Sequence, residues 1–291
     1  MRRTLSLLAL VAVLAGGCLH TKPKSAFDIS VVASGREPRE IYAHGEKMMK
    51  AGLYDKAMSD FQELRNFHRD DPLSVRAQLS LAEIRFKKGE FDEARYAYEE
   101  FLQYHPRHPD LDFVVYRIGL SIYKRAPKLA GRDQSLSKAA VNRWTGFAQR
   151  FPQSTYIAEV EKLSQRGLDR VAGKELFISR FYAKKHAWRA VEGRAADLVA
   201  RYPTATHADE AMAMLARAYH SDGRPEDALA VRERLVADHP ESRWIRSVDQ
   251  VLRLPPGEAF QDELFPRPYH VAGGGMPAGG GGGGKKPSSD E

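Results

Sequence analysis

Cysteine and strand-like patterns are scarce in the sequence, and each shortage excludes a class of protein. Cys18 is the only cysteine among 291 residues, so no disulfide can form within the chain and the fold must rest on its core. Strand-like alternation of apolar and polar residues is scarce, whereas Ala, Leu, Glu, Arg and Lys are abundant. These shortages favour an all-α fold stabilised by side-chain packing.

Charge of one sign is not concentrated in any stripe of the sequence. The formal net charge is +7, and loss of Arg2 and Arg3 with the leader segment lowers it to +5. The 38 acidic residues are interspersed among the basic ones. Because no run of Lys and Arg alternates with exposed aromatic residues, we do not expect the protein to bind nucleic acid.

Two segments resemble ligand-binding motifs but lack an essential part of each. Gly279–Lys285 has the glycine and lysine spacing of a phosphate-binding loop, but Lys286 stands where a Mg²⁺-binding hydroxyl is required. His105 and His108 have a metal-ligand spacing, but each is followed by a proline and no third ligand stands out. The sequence therefore predicts no cofactor and no metal.

Paired carboxylates in the sequence have a structural explanation. Asp70-Asp71 and Asp110-x-Asp112 both precede predicted helices, where acidic side chains cap free backbone N–H groups. We therefore interpret them as caps rather than as a catalytic acid and base. No set of nucleophile, acid and base converges elsewhere, so we predict that the protein is not an enzyme.

What the sequence does contain is one recurring spacing, which is clearest between Gly89 and Pro106. A glycine is followed by four apolar residues at steps of three or four, which lie on one stripe of a helix, and a proline then ends that helix. In this copy the stripe is Phe91, Ala94, Tyr98 and Phe101. Similar stripes begin near Tyr54, Ala140, Trp188 and Ala228. Five copies indicate a repeat protein.

The spacing is typical of the tetratricopeptide repeat. Gly52 and Gly89 are 37 residues apart, and Ala57 and Ala94 repeat the same interval with an aromatic residue four positions later. We predict an all-α fold, an α-solenoid of five helix-turn-helix repeats over residues 37–253. The predicted repeats are about 38–71, 72–106, 110–152, 155–203 and 206–240, with a capping helix at 241–253.

Two repeats carry insertions. The extra residues of the third repeat fall in Arg125–Gln134, whose Pro, Gly and Asp indicate a loop. Before the fourth repeat, the amphipathic segment Ser154–Ala172 extends its first helix to an expected length of about 30 residues. Thr206-x-x-Asp209 resembles a capping box at the start of the fifth repeat.

The N-terminal residues predict export and lipidation. Residues 1–17 have the positive start of a signal peptide, and their apolar stretch Leu5–Ala15 is too short to span a bilayer. Cys18 follows Leu14-Ala15-Gly16-Gly17, a lipobox-like sequence in which the Leu is displaced by one position. We expect acylation of Cys18 with palmitate-type chains that hold the protein on a membrane. Ordinary cleavage that leaves a free thiol is the alternative.

The segments that flank the repeats have little regular pattern. Residues 18–36 are polar and indicate a tether, and residues 254–291 indicate a disordered glycine-rich tail. Leu19 stands where inner-membrane lipoproteins carry Asp, so by the usual sorting rule the lipid anchor is expected in the outer membrane.

The first helices of the repeats carry the candidate binding site. In repeats of this type they line the concave face, and a row of apolar and aromatic groups there is typical of a peptide-binding groove. The alternative is that another helix or a loop covers the row. The candidate groove residues are Tyr42, Met49, Leu79, Phe86, Tyr116 and Tyr123.

The repeat sequences resemble one family closely, in order, over about residues 37–245. The family is BamD (also ComL or YfiO), the tetratricopeptide lipoprotein of the outer-membrane β-barrel assembly machine. The matching segments are Pro38–Tyr42, Gly45, Gly52-x-Tyr54-x₂-Ala57, His105–Leu120, Arg132–Gln134, Phe151–Tyr156, and Ala187-Trp188 before Tyr202-Pro203. The turn Asn66–Pro72 departs from the family's Tyr-Pro-Phe-Gly-like sequence.

The resemblance implies a non-catalytic scaffold, anchored by lipid to the periplasmic face of the outer membrane. It implies that the C-terminal repeats bind the periplasmic domains of an Omp85-type barrel protein, alongside other lipoproteins of the machine. It also implies that the N-terminal repeats receive the C-terminal segments of unfolded barrel substrates, through Tyr42, Leu79, Phe86 and Tyr116. Arg194 is the expected contact with the barrel partner. The alternative is that Arg194 only lies on a solvent-exposed helix face. A periplasmic adaptor for cell-wall or division machinery is the alternative function.

Overall fold

A computed structural model describes residues 34–255, and every regular element in that region is an α-helix. The predicted signal peptide, Cys18, and most of the tether and tail lie outside the described residues. The helices are α1 (Pro38–Lys50), α2 (Tyr54–Phe67), α3 (Pro72–Lys87), α4 (Phe91–Tyr104), α5 (Leu111–Arg125), α6 (Ser135–Trp144), α7 (Phe147–Arg150), α8 (Ile157–Ala183), α9 (Trp188–Arg201), α10 (Ala208–Ser221), α11 (Pro225–Asp238) and α12 (Trp244–Leu252).

The helices pair into hairpins within two compact units. The first unit ends at Ser121 and the second begins at Ile122, so their boundary falls inside α5. In the first unit α1 pairs with α2 and α3 with α4. Gly52 and Gly89 make the two tight turns with φ of +75° and +81°, a region in which a side chain is strained. The all-α fold of tetratricopeptide-type hairpins that the sequence predicts is confirmed.

The predicted helix stripes form the core of the first unit. Ala57, Phe61 and Leu64 on α2 are completely buried. They pack with residues of α1 and α3, including Ile41, Ala77 and Ile84. At the start of α3 the Asp71 side chain accepts a hydrogen bond of 2.7 Å from the backbone N–H of Leu73, so the predicted cap at this position is confirmed.

Helices α1 and α2 approach each other closely at a glycine. A Cβ atom placed on Gly45 would lie 2.8 Å from the Cε1 atom of Phe61, whose ring is fully buried. Because real Cβ contacts are essentially never so short, only glycine permits this approach. Gly45 therefore lets α1 and α2 pack closely together.

This contact predicts opposite effects for two glycine-to-alanine substitutions. We expect Gly45→Ala to destabilise the protein by about 1–3 kcal/mol, because the buried Phe61 ring must shift. Gly193 is also inside a helix, but a Cβ atom there meets nothing within 4 Å. Gly193→Ala should stabilise α9 by up to about 1 kcal/mol. Thermal unfolding followed by far-UV circular dichroism compares the two, and a stabilising Gly45→Ala would contradict the contact.

A cluster of charges fixes the start of the described chain to α2. Arg36 Nη2 lies 2.8 Å from Asp60 Oδ1 and 3.0 Å from Glu63 Oε2, and both carboxylates are buried. The backbone N–H of Ser34 also donates to Glu63, and His44 Nδ1 lies 2.6 Å from Asp60 Oδ2. Burial by itself raises the pKa of Glu63, but the hydrogen bonds from Ser34 and Arg36 outweigh burial and hold that pKa below its ordinary value of 4.5.

The lowered pKa of Glu63 predicts a pH dependence of stability. Since the folded pKa lies below the unfolded one, the contribution of Glu63 is fully present above 4.5 and is lost as the pH falls through the folded pKa. We therefore expect Glu63→Gln to reduce the free energy of unfolding most at neutral pH, and progressively less in acid. Urea titrations across this range measure the difference. The exposed Glu93, substituted by Gln, is the control, and an equal pH dependence in both variants would contradict the prediction.

The second unit departs from the predicted stripe at one point. The sequence predicts a single helix through Ala140, Trp144 and Phe147, but α6 ends at Trp144 and α7 begins at Phe147. Gly146 between them has a φ of +73°, a left-handed conformation that interrupts an α-helix. The connection between α5 and α6 over residues 126–134 agrees with the predicted loop.

Helix α8 is the longest element, as the inserted segment predicts. It has 27 residues, or about 40 Å. It packs against α6 and α9, and Gly167 permits the approach to α6, since a Cβ atom there would lie 2.6 Å from Val141 Cγ2.

The predicted capping box at Thr206 is wrong. Helix α10 begins at Ala208, and the residue at its cap is His207, which makes no side-chain capping bond. Thr206 instead donates its backbone N–H to Asp169, at 2.8 Å, and Asp209 accepts from the Ser242 hydroxyl. Long-range partners have replaced the local cap. Helices α10 to α12 pack with α9 into the main core of this unit.

Among residues 34–255 no helix is long and apolar enough to cross a bilayer.

Candidate functional site

Five of the six predicted groove residues lie in the first unit, on the first helix of each hairpin. Each is partly exposed, so each keeps some surface for a ligand. Tyr42 and Met49 are on α1, Leu79 and Phe86 are on α3, and Tyr116 is on α5. The Tyr42 ring packs against the buried Phe61, with ring centroids 5.5 Å apart.

A partly buried hydrogen-bond network lies beside this row. Glu83 on α3 accepts the Tyr98 hydroxyl through Oε2 and the Arg117 guanidinium through Oε1, each at 2.6 Å. Burial, and then the negative charge of Glu83, raise the pKa of Tyr98 far above its ordinary value, so the phenol stays a donor. The network joins α3, α4 and α5 and holds Arg117 in one position.

Arg117 in turn lies over several aromatic rings. Its guanidinium carbon is 4.5 Å from the ring centroid of Phe86, 5.1 Å from that of Phe113 and 5.7 Å from that of Tyr116. Phe86 also packs edge-on against Phe91. At Phe86 and Tyr116 the predicted row is therefore an aromatic surface beside a fixed cation. The rings can contact apolar side chains, and the guanidinium can donate hydrogen bonds to a peptide carbonyl or carboxylate.

The sequence alone does not indicate Glu83 as a site residue or the role of Arg117. Arg117 belongs to a segment that carries the family resemblance, but nothing in its local spacing indicates a partner 34 residues away. A charged residue on an otherwise apolar helix face is the one available signal, and Glu83 provides it, because Leu79 and Phe86 lie four positions before and three after it on the same face.

The sixth predicted groove residue lies in the second unit. Tyr123 is only 9 % exposed. Its ring packs against Trp144, with centroids 6.1 Å apart, and Arg170 lies 4.2 Å from its centroid. Its role in binding remains a prediction, and its burial leaves little surface for a ligand.

Arg194, the predicted partner contact, is on α9 in the second unit. Its Nη1 atom lies 2.9 Å from Glu175 Oε2 on α8, and about half of its side chain is exposed. The neighbouring pair is more firmly fixed. Arg180 donates two hydrogen bonds, of 2.7 and 2.6 Å, to the buried Glu210. Arg194 is thus the more available of the two arginines.

The histidine pair has a packing role. The rings of His105 and His108 pack against the ring of Phe101, with centroids 4.8 and 5.0 Å away. The Nε2 atom of His105 also lies 3.1 Å from Gln78 Oε1. Burial, and then the nearby His108, lower the pKa of His105. In the part of the chain that the structure describes, no group of three His, Cys, Asp or Glu side chains could hold a metal ion.

Comparison with known proteins gives a consistent result. The model of a family described as YfiO, outer membrane lipoprotein, matches residues 35–235. The outer membrane protein assembly factor BamD of Neisseria meningitidis serogroup A is 29% identical over 215 residues, which is 71% of this chain and 80% of that protein. The proteins of the same name from Xylella fastidiosa strain 9a5c and Rickettsia prowazekii are 27% and 25% identical. Those two alignments cover 83% and 84% of this chain, and 84% and 94% of the relatives.

Proposed function

This chain belongs to the YfiO (BamD) family of outer membrane lipoproteins and is an outer membrane protein assembly factor, and we propose that it acts as a non-catalytic scaffold. In this role it binds the Omp85-type barrel protein of the assembly machine and receives unfolded β-barrel substrates. The observation that carries the proposal is the family match over residues 35–235, which includes α1 to α10 and most of α11. Such a scaffold acts through binding free energy alone.

The substrate surface that we propose is the aromatic row of the first unit. It consists of Tyr42, Met49, Leu79, Phe86 and Tyr116. Their partial exposure and the fixed Arg117 beside Phe86 support this assignment. An extended, unfolded segment can place alternate side chains on such a surface. Because Glu83 already holds Arg117 in place, the Arg117 side chain loses little entropy when a substrate segment binds.

The partner surface that we propose lies in the second unit and includes Arg194. A carboxylate of the barrel protein would compete with Glu175 for this half-exposed guanidinium. Other lipoproteins of the machine are further expected partners. We also propose that acylated Cys18 attaches the chain to the periplasmic face of the outer membrane, and that residues 18–36 act as the tether.

The substrate surface is tested by placing a charge on it. We expect Phe86→Asp to reduce crosslinking to the C-terminal segment of an unfolded barrel protein by at least about fivefold, because the aspartate both removes apolar area and engages Arg117. Crosslinking with a photoreactive peptide measures this.

The matched control is Tyr96→Asp, which changes an aromatic residue that is 61% exposed on α4 of the same unit. Circular dichroism shows whether each variant is folded. Equal crosslinking by Phe86→Asp, Tyr96→Asp and the unsubstituted protein would contradict the proposed surface.

A further inference from the structure

The first unit contains a second concave surface, between α2, α3 and α4. It is a cavity of about 640 Å³, bounded on α3 by Ser74, Gln78, Leu81 and Arg85. These four residues recur at steps of four, three and four, so they share one face of α3. Leu79 and Phe86 each follow one of them by a single position and so lie about 100° further round the helix. The cavity is thus separate from the proposed substrate surface.

Three arginines line this cavity: Arg65 at the end of α2, Arg69 in the turn that follows, and Arg85 on α3. None of their three side chains makes a hydrogen bond or an ion pair with any residue from 34 to 255. Glu100 is the one carboxylate among the residues that line the cavity. Arg36, Arg95 and Arg117 of the same unit, by contrast, are each paired with a carboxylate. The cavity therefore has an uncompensated positive charge.

A second cavity, of about 460 Å³, adjoins the first and has a different character. Tyr104 and His105 line both. Tyr104 is 67% exposed, so its ring is open to a ligand. Val75 and Pro106 add apolar surface to the second cavity. Since the pKa of His105 is lowered, this histidine adds no charge at neutral pH.

We propose that the two cavities together bind an acidic peptide segment of a partner protein. Carboxylate side chains of the segment pair with Arg65, Arg69 and Arg85, whose planar guanidinium groups match a carboxylate with two hydrogen bonds. An aromatic or apolar side chain beside them packs on Tyr104 and Val75. A peptide satisfies both cavities, whereas an isolated phosphate would use only the first. This surface and the proposed substrate surface are independent of each other.

The probe for this proposal is a short fluorescein-labelled peptide in which aspartates alternate with phenylalanines. Its control has asparagine in place of each aspartate. Fluorescence anisotropy should show that the purified full chain binds the acidic peptide, more weakly as salt is added, and does not bind the asparagine control. We expect Arg69→Gln with Arg85→Gln to weaken binding at least about tenfold, or about 1.4 kcal/mol.

The matched control variant is Arg76→Gln. Arg76 is exposed on α3 nine positions before Arg85, which places it on the opposite face of the helix. It should change the affinity by less than about twofold. Tyr104→Ala should weaken binding of the phenylalanine peptide, but not of one that has glycine in place of phenylalanine. Circular dichroism verifies folding of each variant.

Several results would overturn the proposal. Equal binding of the aspartate and asparagine peptides would show that the arginines do not recognise carboxylates. An equal loss in Arg76→Gln would show that only the net charge of the unit matters. Binding of inorganic phosphate or of phosphatidylglycerol vesicles that requires Arg69 and Arg85, without binding of the acidic peptide, would show a phosphate site instead.

Discussion

Glu83→Ala should destabilise the first unit by about 2–4 kcal/mol. The substitution removes the acceptor of both Tyr98 and Arg117. It leaves the Arg117 cation, whose side chain is only 19% exposed, without its carboxylate. The loss is smaller than the roughly 3–5 kcal/mol of a fully buried pair, because water can still reach part of both groups.

Glu99→Ala is the matched control for this prediction. Glu99 pairs with Arg95 four positions earlier on α4, and its side chain is 37% exposed. An exposed pair of this kind contributes about 0.3–0.5 kcal/mol. Glu83→Gln should fall between the two, since the amide oxygen still accepts one hydrogen bond.

The choice of probe matters for this measurement. All three tryptophans, Trp144, Trp188 and Trp244, belong to the second unit, so their fluorescence does not report on the first. Native-state hydrogen exchange of the amides in α3, α4 and α5 measures the expected loss directly. A cost for Glu83→Ala no greater than that for Glu99→Ala would show that the network does not hold these helices together.

Cys18→Ser should release the protein from membranes almost completely. Each buried methylene of an acyl chain contributes about 0.8 kcal/mol, so two or more chains hold a protein far more firmly than surface contacts do. Membranes washed with alkaline carbonate lose proteins that are held by such contacts alone. We expect the unsubstituted protein in the washed pellet and the variant in the supernatant.

Ser25→Ala, a change in the predicted tether that leaves Cys18 intact, is the control for this prediction and should stay in the pellet. Mass spectrometry of the Cys18 peptide adds a direct readout, because acylation increases its mass. An unmodified thiol, or retention of Cys18→Ser in the washed pellet, would contradict the lipid anchor.

The parts of the fold that the sequence predicts correctly are those that local spacing determines. Ala57, Phe61 and Leu64 are on one stripe because they recur at helical intervals, and all three are buried. Gly52 and Gly89 make turns because only glycine adopts their backbone conformation without strain. These features need only neighbours that are a few residues away.

The errors and omissions have a different cause. At Gly146 a left-handed conformation divides a helix that the apolar stripe predicts to be continuous. At Thr206 the predicted cap is replaced by hydrogen bonds with residues more than 30 positions away. The Glu83 network also joins separate helices, and the three arginines of the cavity come together from α2, α3 and the turn between them. Pairings of this kind depend on the packing of hairpins, which repeat spacing does not specify.

In the candidate site, too, local spacing predicts some features and long-range packing determines the others. Helical position correctly places Tyr42, Leu79 and Phe86 on the first helices, where each is partly exposed. The same spacing gives no indication that Arg117 covers Phe86, or that Tyr123 packs against Trp144. The crosslinking experiment tests whether the surface formed by these residues binds a substrate segment.

Co-purification from outer membranes tests the central claim most directly. The cells would carry a tagged copy of the chain at its normal level, and their outer membranes would be dissolved in a mild detergent. We expect an Omp85-type barrel protein to be recovered in a stoichiometric amount with the unsubstituted chain, and less of it with Arg194→Glu. Recovery of a cell-wall or division protein in that amount, with no barrel protein, would contradict the assignment as a barrel-assembly scaffold.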